Sequence, residues 1–111
     1  MDPPMSLPDL THQQFLILEK LLKKGSLTGR QLRSAIAKDG VRKNGPAFYQ
    51  FMARLEESGW VRGWYEQKVI DGQIIKERHY EVLGRGAIAY DKTRQFYLDR
   101  GIEPEGGLIV A

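Results

Sequence analysis

Two β-forming segments joined by a two-residue turn constrain the fold of this chain most. Residues 60–70 and 73–82 are rich in aromatic and β-branched side chains, and they flank Asp71 and Gly72. An Asp-Gly pair accepts the positive φ angles of a type I′ turn, which joins two antiparallel strands directly. The sequence therefore predicts a long β-hairpin. Either face of each strand could point inward, because aromatic and aliphatic residues occupy both the odd and the even positions of the first strand.

Three helices are predicted ahead of the hairpin. The first two begin at Thr11 and Thr28, each followed three residues later by a glutamine, which is the pattern of a capping box. The third begins at Asn44, a helix-capping residue two positions before a proline, and ends near Gly59. Residues 25–27 are predicted to form a plain link between the first two helices.

The first and third helices each have one apolar face. In the first helix the apolar stripe comprises Phe15, Ile17, Leu18, Leu21 and Leu22. In the third helix the apolar residues recur at the spacing i, i+3, i+4, i+7, and they are Phe48, Phe51, Met52 and Leu55. The opposite face of the third helix carries Pro46, Gln50, Ala53, Arg54 and Glu57. We expect both apolar faces in the core and this polar face in solvent.

A last helix and two terminal segments complete the predicted organisation. Mixed apolar and charged residues after Gly86 predict a helix that ends at Gly101. Prolines and glycines near both ends indicate segments without regular structure. The predicted parts are a flexible arm at 1–9, a folded domain at 10–83, a C-terminal helix at 84–101 and an irregular tail at 102–111.

The basic residues are concentrated in one part of the chain. From Lys20 to Arg54 there are nine basic residues and one acid, Asp39, whereas the rest of the chain has an excess of acids. A cationic segment within an otherwise acidic protein favours a polyanionic partner. The alternative is that these residues are ordinary solvated helix faces.

The composition excludes several kinds of site. The chain has no cysteine, which rules out disulfides and sulfur-ligated metal sites, and its two histidines are far apart in sequence. No metal or other cofactor is expected. Ser26, Ser34 and Ser58 have no nearby histidine, and no glycine-rich phosphate loop follows a strand, so an enzyme is not expected. No apolar run is long enough for a membrane helix and no export signal is evident, so a cytoplasmic location is predicted.

The order of these elements predicts an α+β fold, a winged helix-turn-helix spanning residues 10–83. In this architecture the second and third helices form the helix-turn-helix, the third lies in the DNA major groove, and the hairpin is the wing. The cationic segment covers the second and third helices. A double-stranded DNA-binding regulator is therefore predicted, and a winged-helix protein-interaction module without DNA binding is the alternative.

The chain also resembles the PadR-like winged-helix transcriptional regulators. The resemblance lies in residues 49–61, with Tyr49, an Arg-Leu-Glu run and Gly59 before the wing, and continues from residue 78 to Gly86. It implies a dimeric repressor on an inverted-repeat operator, which often answers to a small-molecule effector. Leu83 departs from the pattern, since the family usually has a threonine that caps the last helix there, leaving Gly84 as the candidate cap.

Candidate DNA contacts follow from position on the predicted motif. Base-edge contacts are expected from Lys43, Asn44 and Gln50, at the entrance and on the exposed face of the third helix. Phosphate contacts are expected from Arg30, Arg33, Tyr49 and Arg54, and wing contacts from Lys68, Gln73 and Lys76. The alternatives are that Asn44 only caps its helix and that Gln50 is only solvated.

The remaining aromatic and aliphatic residues have two interpretations each. Trp60 and Trp64 are predicted to pack in the core or in an interface rather than to line a ligand-binding site. Ile88, Phe96 and Tyr97 of the last helix are candidates for a dimer interface, or they cover the first helix.

Overall fold

The computed structural model describes residues 10–103 and 107–108 and contains four helices and five strands there. The predicted arm at 1–9 lies outside the described residues. In chain order the elements are α1 (His12–Lys24), β1 (Ser26–Thr28), α2 (Gly29–Lys38), α3 (Gly45–Glu57), β2 (Val61–Ile70), β3 (Gln73–Val82), α4 (Gly84–Leu98), β4 (Ile102–Glu103) and β5 (Gly107–Leu108). The mixed α+β architecture is the predicted one.

Both predicted capping boxes are confirmed. The Thr11 backbone N–H donates to the Gln14 side chain at 2.9 Å, and the Gln14 N–H donates to the Thr11 hydroxyl at 3.2 Å. Thr28 and Gln31 form the same reciprocal pair at the start of α2. These bonds satisfy backbone donors that have no partner inside the helix, and so they set where α1 and α2 begin.

One apolar core joins the helices to the sheet. Its fully buried members include Phe15, Ile17, Leu18, Leu21, Leu32, Ile36, Phe48, Met52, Leu55, Val61 and Tyr80. The faces of α3 are as predicted, because the residues opposite Phe48, Met52 and Leu55 are exposed. The prediction for Leu22 is wrong, since it is 42% exposed, while Glu19 on the same helix is buried. Neighbouring elements cover α1 on more than one side, so its buried residues do not form one narrow stripe.

The interpretation of residues 25–27 as a plain link is also wrong. Ser26–Thr28 forms β1, which pairs antiparallel with β3 so that Ser26 lies opposite Glu81 and Thr28 opposite His79. The three-stranded sheet has the order β1-β3-β2. Thr28 thus ends a strand and caps α2, which ties the start of the helix-turn-helix to the root of the wing.

The hairpin forms as predicted, and its geometry resolves the open question of which face is inward. Asp71 and Gly72 have φ angles of 51° and 78°, and Ile70 lies opposite Gln73 across the turn. At the root of the hairpin, buried Val61 and Tyr80 lie on the face towards the core. Trp64 and its cross-strand partner His79 therefore occupy the outer face.

The C-terminal part differs from prediction in two respects. Helix α4 begins at Gly84, where the predicted C-terminal helix begins, but its N-cap is Leu83, which makes no side-chain cap bond, rather than Gly84. The first turn of α4 packs closely on the chain before the wing: a Cβ added at Gly86 would lie 2.2 Å from the Trp60 carbonyl oxygen, so only glycine fits there. The irregular-tail prediction is wrong for its described residues, because β4 pairs antiparallel with β5.

Candidate nucleic-acid interface

The exposed face of α3 presents few polar groups. Gln50 and Arg54 are exposed on this helix, with Pro46, Ala53 and Glu57 beside them. The buried face anchors the helix through Phe48, Met52 and Leu55. A helix fixed in this way can lie in a major groove, where Gln50 has the two-pronged amide that pairs with adenine.

The loop before α3 is held by its own hydrogen bonds. The Asn44 side chain accepts from the Ala47 N–H at 2.8 Å, so the predicted capping role is present. The carboxamide NH₂ of Asn44 is not used by this bond and can donate to a base. The Arg33 Nε–H donates to the Lys43 carbonyl at 2.8 Å, and the Lys43 ammonium lies 4.8 Å from the centre of the Phe51 ring.

A cationic depression, of about 520 Å³, lies between α2 and this loop. Its lining residues are Arg30, Arg33, Ser34, Ala37, Arg42, Lys43 and Asn44. Four of the seven are cationic and none is acidic, so the depression favours an anion of phosphate chemistry. Arg42 was not among the predicted contacts, although its position next to Lys43 in the basic segment could have indicated it.

A second cleft, of about 310 Å³, separates α2 and α3 from the wing. Its lining brings together Arg30, Tyr49 and Lys76 of the predicted contacts with Thr28, Gly29, Tyr65, Glu77 and Arg78. Tyr49 packs directly over Gly29, where an added Cβ would lie 2.7 Å from the Tyr49 hydroxyl oxygen. Because Arg30 lines both the depression and the cleft, the two form one continuous surface.

Glu77 forms ion pairs with two of the predicted DNA-contacting residues, Arg30 and Lys68. Its carboxylate lies 2.9 Å from Arg30 Nη2 and 3.2 Å from Lys68 Nζ, and its side chain is only 12% exposed. The hydrogen bond from Lys68, with the charges of Lys68 and Arg30, holds the pKa of Glu77 below its ordinary value despite some burial. These cations are therefore partly neutralised in the free protein. Gln73, at the wing tip, lines neither the depression nor the cleft.

An ion pair that sequence reasoning missed joins α3 to the wing. Arg78 Nη2 donates to Glu56 Oε1 at 2.5 Å, and the Arg78 guanidinium lies 4.7 Å from the centre of the Tyr65 ring. A Cβ added at Gly63 would lie 2.5 Å from the Glu56 oxygen, so the pair passes directly over this glycine. Burial raises the pKa of the neighbouring Tyr80 to about 12, although the Arg78 charge opposes the shift.

The candidate dimer residues on α4 are largely engaged within the chain. The Tyr97 ring lies edge-on to Phe15 with centres 6.4 Å apart, and the Arg100 guanidinium lies 3.6 Å from the Phe96 ring centre. Ile88 is 58% exposed. Trp60 packs against the core, and Trp64 stacks on His79 on the outer sheet face. Each tryptophan therefore has a packing partner.

The residues that the structure describes include neither a membrane-spanning helix nor a metal-binding cluster. In residues 10–103 and 107–108, no helix is both long and apolar enough to cross a bilayer. The same part of the chain holds no group of three His, Asp or Glu side chains placed to bind a metal ion.

The fold is similar to that of several solved structures, although no protein-family model and no curated protein matches the sequence. A cysteine-to-serine mutant of MarR from E. coli, complexed with operator DNA, matches with a TM-score of 0.59 and 19% identity over 79% of this chain and 56% of MarR. A putative transcriptional regulator from Thermoplasma acidophilum matches with a TM-score of 0.59 and 22% identity, over 79% of this chain and 81% of that one.

A PadR family transcriptional regulator from Eggerthella lenta matches with a TM-score of 0.57 and 19% identity, over 78% of this chain and 73% of that one. These neighbours are transcriptional regulators and not enzymes. The chain spans little more than half the length of MarR. Its three helices and β-hairpin therefore form the winged helix-turn-helix fold of MarR- and PadR-type regulators.

Proposed function

We propose that the chain is a sequence-specific, double-stranded DNA-binding transcriptional regulator. The observation that carries this proposal is the cationic depression beside the start of α3, with four basic side chains and no acid in its lining. Phosphates dominate affinity for DNA, and cations at the edge of a groove-binding helix are where a duplex backbone passes. The complex of MarR with operator DNA supports the assignment through the shared fold.

The proposed contacts divide into three groups. Lys43, Asn44 and Gln50 contact base edges in the major groove. Arg30, Arg33, Arg42, Tyr49 and Arg54 contact phosphates. Lys68, Gln73 and Lys76 reach an adjacent stretch of backbone from the wing. Since Glu77 holds Arg30 and Lys68, DNA must compete with this carboxylate for both cations.

We propose further that the regulator is a cytoplasmic homodimer that represses by occluding a promoter at an inverted-repeat operator. A helix-turn-helix dimer reads two half-sites related by its own two-fold axis. The resemblance of residues 49–61 to the PadR-like pattern supports a repressor.

Binding to random duplex DNA at two salt concentrations tests this function. We expect micromolar affinity that falls steeply with salt, as neutralised phosphates release counterions. Arg54→Ala should lower the slope of log K against log salt by about one unit. Lys92→Ala, which removes an exposed cation on α4, is the matched control and should leave the slope unchanged. Equal effects of the two substitutions would contradict the proposed face.

The second candidate function is a protein-interaction module. It is favoured by Val69 and Ile74, apolar wing residues that are 73% and 70% exposed. Absence of DNA binding at low salt, with these residues still exposed in a folded protein, would favour this function over the first.

A further inference from the structure

The outer edge of the sheet is formed by β2, none of whose residues lines the cationic depression. Strand β2 is ten residues long and pairs with β3 on one side, and the described residues place no strand on its other side. An unpaired edge of this length is a template for pairing with another strand, which proteins usually block with bulges, prolines or charges. Strand β2 has no proline, and its register with β3 is continuous from Val61 to Ile70. It does carry charges, but they are of both signs, Glu66 and Lys68 among them.

The hairpin register fixes which backbone groups point to that edge. In a two-residue hairpin the residues beside the turn form a hydrogen-bonded pair, and such pairs alternate with non-bonded pairs along the ladder. Starting from Ile70 opposite Gln73, the even-numbered residues of β2 bond to β3. The odd-numbered residues, Tyr65, Gln67 and Val69 among them, therefore direct their N–H and C=O groups outward.

We propose that β2 pairs with β2 of a second copy of this chain, antiparallel and centred on Gln67. The two-fold axis then passes beside Gln67, which lies opposite Gln67 of the second copy and exchanges both backbone hydrogen bonds with it. Tyr65 lies opposite Val69 of the second copy, and Glu66 lies opposite Lys68 of the second copy. Both relations occur twice by symmetry, as in any two-fold interface.

The charges of β2 select this register over its neighbours. Moving the centre to Glu66 places two carboxylates opposite each other, and moving it to Lys68 does the same with two ammonium groups. Like charges directly opposite destabilise a sheet, whereas opposite charges stabilise it. Glu66 and Lys68 are each about half exposed while contacting His79 and Glu77 within the chain, so both remain accessible to a partner.

The apolar side chains favour the same arrangement. Tyr65 and Val69 are 62% and 73% exposed. In this register Tyr65 of each copy packs against Val69 of the other copy. Pairs of an aromatic and a β-branched residue are among those that stabilise antiparallel sheets. Ile74, which lies opposite Val69 within the hairpin, extends the same apolar strip.

The pairing leaves every proposed DNA contact except Lys68 outside the new interface. Lys68 lies on β2, where it pairs with Glu66 of the second copy, whereas Gln73 and Lys76 belong to β3 and the cationic depression lies beside α2. Strand β2 is also a better candidate for the dimer interface than α4, because Tyr97 and Phe96 of α4 already pack against residues of the same chain. The inference does not depend on DNA binding and is tested without DNA.

Charge reversal with rescue tests the register by sedimentation velocity over a range of concentrations. We expect a dimer in the wild type, weakened at least about fivefold by E66K or by K68E, because two attractive pairs become repulsive. The combined substitution E66K/K68E restores opposite charges across the axis and should restore the dimer. E57K, on an exposed residue of α3, is the control for change of net charge and should leave the dimer intact.

A cysteine placed on the two-fold axis provides an independent test. The chain has no cysteine, and residues in a hydrogen-bonded antiparallel pair have Cα atoms about 5.5 Å apart, within disulfide range. Q67C should therefore oxidise rapidly to a covalent dimer, and Q50C on α3 should not. A monomeric wild type at several hundred micromolar would overturn the proposal. A dimer unaffected by E66K and K68E would also overturn it by placing the interface elsewhere.

Discussion

Replacing Gly63 by alanine tests how the wing is attached to α3. The new Cβ would lie 2.5 Å from Glu56 Oε1 and 2.7 Å from Arg78 Nη2, too close for both groups to keep their places. The ion pair joins residues 22 positions apart, one on α3 and one on β3, so its loss loosens the contact between helix and wing. Alanine fits here only if the ends of these two side chains shift, which disturbs the ion pair.

The magnitude follows from the burial of the pair. A hydrogen bond between charged groups contributes about 1.5–3 kcal/mol, and the lower end applies because both side chains are about a quarter exposed. Alanine in a strand regains about 0.5–1 kcal/mol relative to glycine. The expected net loss is about 1 kcal/mol, which lowers the Tm by about 4–8 °C for a domain of this size.

Thermal and urea unfolding of Gly63→Ala, Glu56→Gln and the double variant measure this loss. If both substitutions act through the ion pair, the double variant should be little worse than Gly63→Ala alone. Additive losses would refute the reasoning, as would a Gly63→Ala protein with the stability of the wild type.

Four further predictions concern the interface and its surroundings. Gln50→Ala should cost about 1–3 kcal/mol on the preferred site and relax preference at one base position, and equal losses on random DNA would contradict this. Glu77→Gln should strengthen DNA binding at low salt by releasing Arg30 and Lys68, and weaker binding would contradict the competition described above. The pKa of Glu77 is lower in the folded than in the unfolded protein, so its charged form stabilises the fold above the unfolded pKa. This stabilisation is lost as acid protonates the carboxylate. The wild type should therefore lose more stability than Glu77→Gln below about pH 4.5. Ultraviolet titration should find that Tyr80 ionises at about pH 12. Since the unfolded pKa is 10.0, stability should fall as pH rises between these values. Ionisation of Tyr80 near pH 10 in the folded protein would contradict its burial.

Features defined by local chemistry could be predicted from the sequence. The capping boxes at Thr11 and Thr28 and the turn at Asp71 and Gly72 depend on residues within a few positions of one another, and the structure confirms them. The apolar face of α3 follows from helical spacing in the same way.

Features defined by distant partners could not be predicted. Strand β1 has three residues and exists because β3 pairs with it, and Ser26-Leu27-Thr28 has no distinguishing pattern of its own. The basic residues of the helix-turn-helix were evident from composition, but Glu77, 47 positions after Arg30, reaches into them only in the folded chain. The link from Glu56 to Arg78 was missed for the same reason.

The central claim is that the cationic depression and the exposed face of α3 bind duplex DNA. The most direct measurement is a titration of the isotope-labelled protein with duplex DNA, followed by backbone amide NMR shifts. The account predicts that the largest shifts fall on α2, the loop at Arg42 and Lys43, the exposed face of α3 and β3 near Lys76, with α4 unchanged. No shifts at low salt, or shifts centred on α4, would contradict it.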